Sequence, residues 1–144
     1  MGSCLTPFTL KGSNASTPKQ NYTFVGKPNN GTITSTVAAN NLNLCGNPYP
    51  SAIDADAFLD ANMNVLEGTL YFWTHNTPPS NVAPGSQAYN YSANDYATYN
   101  RTGGVGTRVS TAKAANTGGV LPTGKIAAGQ GFFAPSSATG GTLI

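Results

Sequence analysis

The acidic run Asp54, Asp56 and Asp60, in the string DADAFLD, places three carboxylates within seven residues, with Glu67 close behind. Carboxylates with loop carbonyls are the ligands calcium takes, so Asp54, Asp56 and Asp60 form a candidate metal site. The run lacks the glycine and spacing of an EF-hand loop. Capping of a helix by Asp54 and dipole complementation by Asp56 account for the same residues. Paired-carboxylate glycoside hydrolysis needs two acids facing each other across a substrate. Four of the five acids are bunched together and Asp95 is the remaining one, which leaves two cleft walls hard to supply. His75 is the single histidine, no serine lies in a GxSxG elbow, and Gly103-Gly104-Val105-Gly106 lacks the Lys-Ser/Thr of a phosphate loop. No catalytic set assembles from these residues.

The aromatic and amide side chains carry a different chemistry. Sugars stack their C–H faces on Trp or Tyr, while Asn, Asp and Gln bond the hydroxyls at preformed sites with a few placed polar groups. Trp73, Tyr91, Tyr96 and Tyr99 are the candidate platforms, with Asn76 and Asn94 as amide partners. Tyr49, Tyr89, Asn90 and Asp95 supply related groups. Packing at a core edge and pairing across strands is the plainer role for such rings. Cys4 and Cys45 are the two cysteines. They form either a disulfide, closing a loop of about 40 residues and contributing ~4 kcal/mol in the chain-entropy model, or two buried thiols. A zinc site would need four ligands, and the spacing does not fit one.

The elements that position these groups are read from composition and period. Of 144 residues only 12 are charged, with a net charge of +2, while 16 Asn, 18 Thr, 17 Gly and 10 Pro favour turns and strands over helices. Dispersed cations give no stripe for nucleic acid, and no apolar run reaches the ~20 residues that cross a bilayer, so membrane insertion is not expected. Strands are predicted at 5–11, 21–26, 31–37, 42–46, 68–75, 124–129 and 130–135. In GTITSTV, Ile33 and Val37 share a face; in LNLCG, Leu42 and Leu44 do. Asn29-Asn30-Gly31 is a hairpin candidate and Asn40-Asn41 a turn. One helix is predicted over Ser51 to Asn62, capped by Ser51 or Asp54, and 101–119 reads as a long loop. The expected fold is all-β: a two-layer β-sandwich, jelly-roll-like, with one short helix near 51–62. Met1-Gly2-Ser3 reads as a cloning remnant, and 4–144 as a single module cut from a longer protein.

The strings NYTFVGKPNNGTIT (21–34), NLNLCGNPYPSAIDADAFLDAN (41–62), GTLYFWTHN (68–76), NDYATYNRTGG (94–104) and GKIAAGQGFFA (124–134) resemble a module recurrent in large secreted proteins of Bacteroidetes. There it precedes the C-terminal sorting domain of the type IX secretion system. GNPYPSAID and AAGQGFF are the most specific parts. The resemblance implies a β-rich, exported, extracellular or cell-surface module with no catalytic residues to carry over, joined to other domains of its parent. The expected function is non-catalytic adhesion or carbohydrate binding, with a polysaccharide or surface glycan as partner and no cofactor beyond calcium at the acidic run. The alternative is a structural spacer or self-associating surface or filament subunit with no small-molecule ligand.

Overall fold

The computed structural model describes residues 26–74, 77–107 and 121–144. The predicted strand 5–11 and nearly all of 21–26, together with Cys4, His75 and Asn76, lie outside these residues. Within them the chain is mostly β, with nine strands and one α-helix. Strands β1 (Ser35–Val37), β2 (Leu42–Gly46), β3 (Ile53–Asp54), β4 (Leu70–Trp73), β5 (Tyr96–Asn100), β6 (Gly103–Val105), β7 (Lys125–Ile126), β8 (Gly131–Pro135) and β9 (Gly141–Leu143) are all paired antiparallel. A five-stranded sheet runs in the order β2-β8-β4-β5-β6. Two ribbons, β1–β9 and β3–β7, and the helix α1 (Ala55–Ala61) make the opposing layer. The expected sandwich-like, mostly β architecture with one short helix is the one observed.

The core lies between the layers. Strands alternate their side chains, so the five-stranded sheet turns Leu70, Phe72, Ala97, Tyr99, Phe132 and Ala134 inward, against Ala55 and Leu59 of the helix and Val37, Ile126 and Leu143 of the ribbons. Phe58 meets Phe132 edge-on, with ring centroids 5.5 Å apart.

The helix is shorter than 51–62 because Ile53 and Asp54 pair with Ile126 and Lys125 as a strand. Asp54 then caps it, its carboxylate accepting from the N–H groups of Asp56 and Ala57, each at 3.0 Å. Its far end is held by Asn62, a buried residue whose amide donates to the carbonyls of Phe58 (2.8 Å) and Ile144 (2.9 Å) and accepts from Ile144 N–H (2.8 Å). A side chain thus replaces a strand neighbour just beyond β9.

The crossing of the two layers rests on Ser136. Its buried hydroxyl donates to Ala38 O (2.5 Å) and accepts from Asn41 N–H (2.9 Å). Both chain arms bend here, β1 to β2 and β8 to β9. Asn40 takes a left-handed φ of 52° at the bend, and Gly140 one of 62°.

Candidate functional site

The five-stranded sheet has a second face. The same alternation that buries Phe72 turns Tyr71 and Trp73 outward, and register places Tyr71 beside Phe133 and Thr98, Trp73 beside Tyr96, and Leu44 beside Phe133. Leu42 pairs with Pro135 and Thr98 with Val105 on the same side. Tyr91, from the segment before β5, sets its ring edge-on to Trp73 at 5.4 Å and 88°. Tyr96 meets Phe133 at 5.9 Å and 68°. Between them Leu42, Tyr71, Tyr96, Phe133 and Pro135 line a shallow cleft of about 310 Å³. Strands lie ~4.8 Å apart, so the four strands from β2 to β5 carry this surface over ~14 Å. None of these outward residues is charged, and Trp73 is 46% exposed and Tyr91 55%.

The rings are held from behind by a buried carboxylate. Asp95, 1% exposed, accepts from the N–H (2.9 Å) and hydroxyl (2.8 Å) of Thr77, and its backbone carbonyl accepts from Thr74 N–H at 2.8 Å. Trp73 precedes Thr74 and Tyr96 follows Asp95, so these bonds fix the end of the Trp73–Tyr96 pair. Ser92 caps the 3-10 turn 93–95 through Asn94 N–H. Asn90 bonds the carbonyls of Ala83 and Gln87 and shapes the preceding loop.

Of the expected platform residues, Trp73, Tyr91 and Tyr96 therefore come together, and Tyr99 does not. Its position in β5 has the opposite parity to Tyr96. The ring is buried in the core and its hydroxyl donates to Asp56 at 3.2 Å. Burial and this carboxylate push the Tyr99 phenol above its ordinary pKa. Asn94 is exposed in the turn before Tyr96, and Asn76 lies outside the described residues. Asp95 and Asn90 serve the scaffold, and Tyr49 donates its hydroxyl to Gly31 O at 2.7 Å, away from the platform. Tyr89 is exposed.

The acidic run is engaged in separate pairings. Asp54 caps the helix and accepts from Lys125 Nζ at 2.5 Å, Asp56 accepts from Tyr99, and Asp60 pairs with Arg101. Lys125 and the helix N–H bonds hold the Asp54 carboxyl below its usual range, and the same contact raises Lys125. Among the described residues no three His, Cys, Asp or Glu side chains are grouped as a metal would require. Asp54, Asp56 and Asp60 thus each have a partner of their own within the fold: the helix N–H groups and Lys125, Tyr99, and Arg101 respectively. Cys45 packs half-buried against the core, where burial raises its thiol pKa; Cys4 lies outside the described residues.

Sequence reasoning missed Tyr71, Phe133, Leu42, Leu44, Pro135 and Val105 as members of this face. The signal was present for one of them, since Tyr71 is two residues from Trp73 and must share its side. Phe132 and Phe133 are adjacent and look alike, and only register shows which one points inward. The two specific strings have a structural explanation. Asn47 of GNPYPSAID donates its amide to the carbonyls of Ser51, Ile126 and Ala127 and accepts from Tyr49 N–H. Gln130 of AAGQGFF accepts from Ala127 N–H, and Gly129 N–H donates to Asn47 O. These strings lock to each other, and of their residues Phe133 reaches the outer face. A family model described as "Domain of unknown function (DUF8693)" matches residues 6–143. No curated protein and no solved structure matches the chain.

Proposed function

We propose that this chain, which belongs to the family Domain of unknown function (DUF8693), is a non-catalytic module that binds carbohydrate on the outer face of its five-stranded sheet. The observation that carries the reading is the uncharged surface on which Trp73, Tyr91 and Tyr96 adjoin Tyr71 and Phe133. Large exposed aromatic rings in contact with one another mark an interaction surface. Indole and phenol rings offer apolar faces to sugar C–H groups, with polar edges for hydroxyls. The absence of charge among these ring-bearing residues favours a neutral polysaccharide over a charged one. Its span of ~14 Å suits an extended chain of sugars rather than one ring in a pocket.

The reading requires no cofactor. It places the module in an exported or cell-surface bacterial protein, joined to other domains, with adhesion or polysaccharide capture as its task. The low charge and Asn- and Thr-rich composition support that setting, and export by the type IX route rests on the resemblance of GNPYPSAID and AAGQGFF alone. The spacer reading differs in predicting no ligand.

Electrophoresis through gels containing neutral soluble polysaccharides tests the reading. Retardation by at least one polysaccharide is expected, lost in the double variant Trp73→Ala, Tyr96→Ala. Retardation that survives the double substitution removes the site, and no retardation by any neutral polysaccharide favours the spacer.

A further inference from the structure

Among the described residues, β2 (Leu42–Gly46) is an edge strand whose one partner in the sheet is β8. The hydrogen bonds flanking it fix which way its backbone groups point. Ser136 N–H donates to Asn41 O at 2.8 Å and Asn47 N–H to Gln130 O at 3.0 Å. Antiparallel ladders alternate bonded and non-bonded pairs. Asn43 and Cys45 therefore bond β8, and the N–H and C=O groups of Leu42, Leu44 and Gly46 point away from it.

Proteins guard such edges with charges, proline or a bulge. This one has none within the strand, and from Pro28 to Ile53 the chain contains 26 residues without a charged side chain. Leu42 and Leu44 are 58% and 71% exposed. An open space of about 480 Å³ lies beside the strand, lined by all five of its residues and by 33–37 opposite.

We infer that the β2 edge pairs with the β2 edge of a second copy of this chain, antiparallel about a two-fold axis through Leu44. The register is self-complementary. Leu42 meets the other copy's Gly46, Leu44 meets Leu44, and Gly46 meets Leu42, so all three outward residues fall in bonded pairs, with two hydrogen bonds each. Glycine at 46 leaves room for the exposed Leu42 side chain across from it. No like charges oppose one another, because the strand has none. The result is a continuous ten-stranded sheet with both aromatic faces on one surface. An isologous contact of this kind closes as a dimer.

Analytical sedimentation of the full chain tests the pairing. The expected mass is twice 14.8 kDa, returning to the single-chain value in Leu44→Asp, which opposes two carboxylates at the axis, and unchanged in Trp73→Ala. A second variant, Leu44→Cys, places two thiols on residues ~5.5 Å apart at Cα, within disulfide reach, and oxidised glutathione should yield a peptide linked 44 to 44. A single-chain mass at every concentration overturns the inference. So does a dimer unaffected by Leu44→Asp, or a folded Leu44→Cys dimer without the 44–44 link.

Discussion

Replacing Asn47 with alanine removes the bonds that tie the GNPYPSAID and AAGQGFF segments together. The amide has two protons and three carbonyls within reach, Ser51 at 2.8 Å and Ile126 and Ala127 each at 3.1 Å, so one proton is shared. Its carbonyl accepts from Tyr49 N–H at 2.9 Å. Alanine leaves the buried Ile126 carbonyl without this donor, at a cost of ~1–3 kcal/mol, and three part-exposed groups that water can reach, at ~0.5 kcal/mol each. The sum is about 3 kcal/mol, equivalent to a fall in Tm of roughly 10 °C for a domain of this size. Asn47→Asp keeps the shape but faces a carboxylate toward the same carbonyls, so it should cost more than alanine at neutral pH. Urea unfolding of the three proteins measures both quantities. A loss under about 1 kcal/mol for alanine, or a milder effect for aspartate than for alanine, would refute the reasoning.

Three further outcomes follow from local geometry. Gly140→Ala places a Cβ 2.7 Å from both Ala39 N and Val37 O at a φ of 62°; a loss of about 2–4 kcal/mol in urea unfolding is expected. Asp54 has a lowered pKa in the fold through Lys125 and the helix N–H bonds. The stability it contributes is therefore complete above the unfolded value of ~3.9 and is lost as pH falls through the lower folded value. Asp54→Asn should flatten that part of an acid-denaturation curve, and an unchanged acid limb contradicts the assignment. Burial raises the Cys45 thiol pKa, so in a Cys4→Ser protein its reaction with a disulfide reagent at pH 8 should be slower than that of a free cysteine, equalising in urea.

The strand at 42–46 was legible to the residue, because alternation in LNLCG sits between an Asn-Asn turn and Gly-Asn-Pro. Which side of that strand is wet was not. Leu42 and Leu44 look like core residues, yet Cys45 faces inward, and only pairing with Phe132 settles the side. At β6 the sequence alone points to a loop, because Gly103 and Gly104 have little strand preference. The reason for glycine there is tertiary, since a Cβ on Gly104 would lie 2.3 Å from Pro122 O. The helix was found with one of its two candidate caps, Asp54, but three or four residues too long at its start. The two-residue pairing of Ile53 and Asp54 with Ile126 and Lys125 depends on chain more than seventy residues away. For the site, Trp73, Tyr91 and Tyr96 follow from residue type. Excluding Tyr99 needed the parity of β5, and its bond to Asp56 shows where the ring goes instead.

Trp73 is the single tryptophan, so its fluorescence reports on the proposed platform without labelling. Titration with the neutral polysaccharide that retards the protein should shift Trp73 emission to shorter wavelength and protect it from acrylamide quenching, in step with saturation and with no change in Tyr96→Ala at the same concentrations. Bound polysaccharide with an unaltered Trp73 spectrum and unaltered quenching would contradict the outer face as the site.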